Sequence, residues 1–151
     1  MFCSEGPRRS NDMDENFGGA PTDKRLEENM ANAFVHAELN TTDVQKAKTF
    51  YGKLFDWKLE DIPMGEGETY TMIGVGEGTG GGIMKQMIPG ASSDWMPYVG
   101  VDDIRAATKK AKSLGANILK DVTEVMDMGW LSIFKDPTGA IIGLWQPKPR
   151  K

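Results

Sequence analysis

The sequence predicts an α+β fold built from two βαβββ modules related by a pseudo-twofold axis, and two observations predict it. The first is a repeat: Thr42-Asp43-Val44, Ala47, Tyr51 and Leu54 recur sixty residues later as Asp102-Asp103-Ile104, Ala107, Ala111 and Leu114. The second is that the same register, carried beyond this segment, sets Tyr70 on Trp130 and Ile73 on Ile133, so that each copy extends into strands. Duplicated units tend to gather functional groups near the axis where the copies face each other. Matching positions of the two copies are therefore where function is sought.

Phe34 to Asn40 is a short apolar-rich run and reads as the first strand. Thr42 to Gln45 has the form of a capping box, and Val44, Ala47, Tyr51 and Leu54 then recur at steps of three and four on one helical face. Trp57 to Glu60, Tyr70 to Val75 and Gly82 to Met87 read as three further strands, closed by Pro89-Gly90. The second copy opens with a strand from Trp95 to Val101. Asp102 is the expected cap of its helix, and Gly115 ends that helix, where a left-handed residue is wanted. Ile118-Leu119, Trp130 to Phe134 and Ile141 to Trp145 supply its strands. Asp136-Pro137-Thr138-Gly139 joins the last two through a type I turn. The modules span about 33–90 and 94–147 within one domain over residues 30–151.

With 151 residues the chain has the length of a single domain with one proper core. Residues 1–29 carry four basic and seven acidic side chains and few apolar ones, the composition of a disordered tail. The remainder holds fourteen basic and fifteen acidic residues, so it has no electrostatic footprint for nucleic acid or an anionic membrane. No apolar segment follows Met1 and no run of about 18 apolar residues occurs, which gives a cytoplasmic expectation. Cys3 lies in the tail and has no partner for a disulfide. Met30 stands just before the ordered pattern and is an alternative start. Gly76 to Gly81 satisfies G-x-G-x-x-G, but a strand and not a helix follows, so the stretch reads as a hairpin loop and not a dinucleotide site.

His36-x-x-Leu39-x-x-x-Asp43, Phe50-Tyr51-x-x-Leu54-Phe55-x-Trp57, Val101-Asp102-Asp103-Ile104, Asp136-Pro137-x-Gly139-Ala140 and Leu144-Trp145-Gln146 together resemble the vicinal oxygen chelate superfamily. That superfamily includes glyoxalase I, bleomycin-resistance proteins and extradiol dioxygenases. The resemblance spans roughly residues 33–147 and implies sheets curled into a cup, a small-molecule site inside it, and a homodimer. In metal-dependent members four His or Glu ligands come in pairs, one on the first and one on the last strand of each module. The first-strand pair maps here onto His36 and Met96, and the last-strand pair onto Met84 and Gly143. Zinc, nickel, iron and magnesium require imidazole, thiolate or carboxylate donors, which Met and Gly do not supply. The expectation is therefore no metal and no cofactor.

His36 is the one histidine of the chain, and Glu38 and Asn40 share its strand face. His36 is either a hydrogen-bonded structural residue or a general acid or base. Glu38 is either its proton-transfer partner or a polar group at the rim. The abundant Met and Trp side chains either pack the core or line a cavity for an apolar or aromatic ligand. Asn40, Met84, Met96, Trp130 and Gly143 are the candidate ligand contacts. Three functions follow from this pattern: metal-free acid–base catalysis at His36 and Glu38, binding without turnover as in bleomycin resistance, and a metal-dependent glyoxalase-like lyase or dioxygenase-related enzyme.

Overall fold

The computed structural model describes residues 32–149. The expected tail over residues 1–29, with Cys3, and the alternative start at Met30 lie outside the described residues. In chain order the elements are β1 (Phe34–Thr41), α1 (Val44–Leu54), β2 (Lys58–Gly65), β3 (Glu68–Gly74) and β4 (Gly81–Lys85), followed by β5 (Asp94–Gly100), α2 (Ile104–Ser113), β6 (Asn117–Val125), β7 (Gly129–Lys135) and β8 (Ile141–Pro147). This is βαβββ twice, as the repeat predicts.

The strands form one curled eight-stranded sheet in the order β2-β3-β4-β1-β5-β8-β7-β6. Within each module the first and last strands are parallel, β1 to β4 and β5 to β8, while β1 and β5 meet antiparallel at the seam between modules. Ala37 lies opposite Pro97, its counterpart sixty residues on, so the pseudo-twofold passes between these two residues. His36 faces Tyr98 and Glu38 faces Met96 on either side of it.

Strand alternation divides the sheet into two faces. Leu39, Ile73 and Ile83 project toward α1 and pack with Val44, Ala47 and Tyr51, the apolar face that the three-and-four spacing predicts. On the second module Ile104 and Thr108 of α2 are buried. The Thr108 hydroxyl donates to the Ile104 carbonyl at 2.6 Å and lies 2.9 Å from Ser132 Oγ, while Gln146 Oε1 accepts from the Ile104 amide at 2.8 Å. These bonds give buried hydroxyls and one of the unpaired amides at the helix start their partners. The opposite, concave face carries His36, Glu38 and Asn40.

Both helix caps fall one residue later than expected. Asp43, and not Thr42, adopts the extended cap conformation and accepts from the Lys46 amide; Asp103, and not Asp102, does the same for Ala106. The Thr42 amide is taken instead by Ser93 Oγ at 3.0 Å. Asp43→Ala and Asp103→Ala should therefore each cost about 1 kcal/mol in denaturant unfolding. Thr42→Ala and Asp102→Ala should cost less than half of that.

The sixty-residue register also fails after the helices. Glu38 is opposite Gly82, whereas Tyr98, which matches Glu38 in the repeat, is opposite Gly143, so the offset has become sixty-one. The extra residue is taken up in β6, whose pairing with β7 slips twice, between Ile118 and Lys120 and between Lys120 and Thr123, where β2 and β3 slip once. A one-residue slip exchanges the faces of a strand. Ile73 packs under α1, whereas Ile133 lies opposite Gly143 on the concave face. The glycine-rich stretch joins β3 to β4 and the Asp136 turn joins β7 to β8, both as expected. In that turn the Gly139 amide donates to the Asp136 carbonyl at 3.0 Å, and Asp136 Oδ1 accepts from the amides of Thr138 and Ala140.

Candidate functional site

Glu38 stands at the floor of the concave face beside the pseudo-twofold and is only 6% exposed. The Tyr98 hydroxyl donates to its Oε2 at 3.0 Å. His36, two residues away on the same face, has Nε2 2.7 Å from the Tyr70 hydroxyl, the tautomer deciding which of them donates. The imidazole also lies edge-on to the Tyr98 ring, with centroids 5.8 Å apart. The result is a polar cluster of one carboxyl, one imidazole and two phenols, drawn from both modules.

Two glycines make room for those phenols. A Cβ on Gly82 would fall on the Tyr70 ring, and one on Gly143 would fall on the Tyr98 ring. Each tyrosine thus lies across a strand that has no side chain at the crossing. Gly82 and Gly143 occupy matching places in the two modules, a symmetry that the offset of sixty conceals.

Burial pushes the Glu38 carboxyl above the usual carboxylate range. The hydrogen bond from Tyr98, the nearby polar groups of Tyr70 and Asn40 and the positive charge of Lys120 pull the other way without cancelling it. Burial holds His36 below its ordinary value, so it favours the neutral imidazole. Burial and then the charge of Glu38 push both Tyr70 and Tyr98 upward, which keeps them as hydrogen-bond donors. A carboxyl raised in this way is a stronger base when ionised than an exposed one, and it sits beside groups able to donate to a developing oxyanion.

His36, Glu38, Asn40, Met84, Met96 and Gly143 all fall on the concave face. Met96 is directly opposite Glu38 and is buried. Gly143 serves as the floor beneath Tyr98. Trp130 is a correction: it shares the face of Ser132, which bonds to α2, and its strand partner is Gln146, whose amide oxygen caps α2. The cause is the slip in β6, and the concave position next to it belongs to Leu131, opposite Trp145. Trp95 also points away from the cup; its Nε1 donates to the Tyr51 hydroxyl at 3.3 Å within a cluster that includes Trp57. Tyr70, Tyr98 and Lys120 are absent from the sequence-based candidates. Counting two residues on from Met96 reaches Tyr98, whereas nothing in the sequence marks the bulges that turn Lys120.

The donor set does not fit a four-ligand divalent site. Of the residues facing the cup floor only His36 and Glu38 offer the required donors, and each is engaged by a tyrosine hydroxyl. The last-strand positions are glycines roofed by aromatic rings, with Gly82 and not Met84 as the counterpart of Gly143. Among the described residues no three His, Cys, Asp or Glu side chains converge.

Residues 33–144 match the model of the Glyoxalase/Bleomycin resistance protein/Dioxygenase superfamily. A protein of Mycobacterium tuberculosis named as a glyoxylase is 37% identical over 114 residues, which cover 72% of this chain and 43% of that protein. An anthracycline biosynthesis protein of Streptomyces peucetius is 24% identical over 123 residues, covering 72% of this chain and 45% of its own length. The chain thus spans less than half the length of these relatives. Among solved structures, methylmalonyl-CoA epimerase from Mycobacterium tuberculosis superposes with a TM-score of 0.61 at 15% identity, over 77% of this chain and 88% of that one. This last likeness concerns the fold.

Proposed function

We propose that this chain, which belongs to the glyoxalase, bleomycin resistance protein and dioxygenase superfamily, binds a small apolar or aromatic molecule in its cup and moves a proton on it without a divalent metal. The observation that carries this reading is Glu38: a carboxyl 6% exposed, with its pKa raised by burial, hydrogen-bonded by Tyr98 and adjacent to a His36–Tyr70 pair. Burying a carboxyl is unfavourable, and a fold without use for one is better served by an apolar residue.

The chemistry suited to this cluster is removal of a proton from a carbon next to a carbonyl. Ionised Glu38 takes the proton, the Tyr70 hydroxyl donates a hydrogen bond to the carbonyl oxygen as it gains charge, and the carboxylic acid returns the proton to the same or a neighbouring atom. No oxidant or leaving group is needed. Met84, Met96, Leu131, Ile133 and Trp145 provide the apolar wall for the body of the ligand.

Incubation with phenylacetone in D2O, followed by NMR, tests the reading. Exchange of its α-protons should be catalysed by protein treated with a chelator and should be lost in Glu38→Gln. Exchange that requires an added divalent ion would favour a metal-dependent lyase instead. Saturable binding without exchange would leave a sequestering protein.

A further inference from the structure

We infer that Lys120 forms a subsite for an anionic group of the ligand, facing Glu38 across the cup; this rests on the cup being a ligand site. The placement comes from the bulged pairing of β6. Pairing slips on both sides of Lys120, and between the slips Lys120 lies opposite Ile133. Ile133 is in turn opposite Gly143, the glycine beneath the Tyr98 ring. Cross-strand partners share a face, so Lys120 rises from the concave side. Its neighbours Asp121 and Val122 turn to the other side and line a groove with Arg105 and Thr108 of α2. A bulge re-aims a side chain at the expense of ladder pairing, and two of them bracket this one residue.

The same face carries Ile133 and, beyond it, Leu131 and Trp145, with Thr123 opposite Leu131. The ion pairs among the described residues, Lys48 with Asp61 and Lys148 with Glu124, do not engage Lys120. Its charge does reach the Glu38 carboxyl. A cation on this wall, across the cup from a carboxyl whose proton burial holds more tightly than usual, is complementary to a ligand with an apolar body and one negative group. An ammonium is a compact point charge without the planar fork of arginine, so it accepts a carboxylate or a phosphate alike. The ligand class is therefore a small aromatic or aliphatic anion.

Calorimetric titration with phenylacetate, phenyl phosphate and neutral phenylacetamide at fixed ionic strength tests this. The wild-type protein should prefer at least one anion over the amide by about fivefold, the range expected of a partly exposed ion pair. Lys120→Gln should abolish the preference and Lys120→Arg should keep it, with added salt weakening it. The anion that gains more identifies the group. An amide bound as tightly as both anions, or a preference that survives Lys120→Gln, overturns the subsite while leaving the cup as a ligand site. Failure of all three compounds to bind overturns both. As a readout independent of any ligand, the carboxyl carbon of Glu38 should titrate at higher pH in Lys120→Gln, and an unchanged midpoint would remove Lys120 from the cup.

Discussion

Glu38→Gln should lower proton-exchange activity by about 10²- to 10⁴-fold, the usual contribution of a positioned acid or base, and should make the protein more stable in mild alkali. The amide keeps the shape of the carboxyl and still accepts from the Tyr98 hydroxyl, but it cannot take a proton. The stability effect follows from linkage. The pKa of Glu38 is raised in the folded state, so the folded protein holds this proton more tightly than the unfolded chain does. Its contribution to stability is fully present below the unfolded value and is lost as pH rises through the folded one. Glutamine has no such loss. Melting curves of the two proteins should lie closest in acid and diverge progressively as pH rises above the unfolded carboxyl value, with the variant higher. Activity of the wild type should rise with pH through the same midpoint. His36 acts in the opposite sense: its lowered pKa costs stability as pH falls below the unfolded value near 6.5. A variant less stable than the wild type at pH 8 would show that burial of Glu38 is not what raises its pKa.

Gly143→Ala should destabilise the fold by about 3 kcal/mol, the upper part of the range for overpacking a filled site. The added methyl group would meet the body of the Tyr98 ring, which is held at its far end by Glu38 and from the side by His36. The ring has no route out that keeps its hydrogen bond, and a displaced Tyr98 leaves the buried carboxyl short of a donor. Gly82→Ala meets Tyr70 nearer its hydroxyl end, where a swing of the side chain relieves the clash. That variant should unfold at a denaturant concentration closer to wild type while losing the His36–Tyr70 contact. Equilibrium unfolding in urea of the two alanine variants, with the tyrosine ring signals followed by NMR, separates the cases. Equal and small losses would contradict this packing.

The fold was legible because its carriers are local and periodic. The helical steps at Val44, Ala47, Tyr51 and Leu54, the turn at Asp136 and the helix end at Gly115 each announce themselves within a few residues. The duplication then fixes the order of the modules. His36, Glu38 and Asn40 were legible as one face because β1 runs through them without a bulge, its pairing with β5 unbroken from His36 to Asn40. What the sequence hid was register across the sheet. A bulge leaves no compositional mark, so two slips in β6 moved Trp130 to the helix side and brought Lys120 into the cup. The caps at Asp43 and Asp103 were misplaced for a related reason: two adjacent polar residues each offer a side-chain acceptor, and only the backbone angles choose between them. Gly143 was singled out for a position in a ligand set, but the structure gives it the task of making space.

The seam between β1 and β5 has a consequence for how activity and integrity are linked. His36, Glu38 and Tyr70 belong to the first half of the chain, Tyr98 and Lys120 to the second, and the halves meet along this one antiparallel ladder. Neither half carries the whole cluster. Parting of the seam would therefore take the cluster apart even with both βαβββ units intact, and a polypeptide severed in the segment between Lys85 and Asp94 would rebuild it only as the two pieces reassociate. The arrangement of these side chains thus reports directly on the docking of one module against the other.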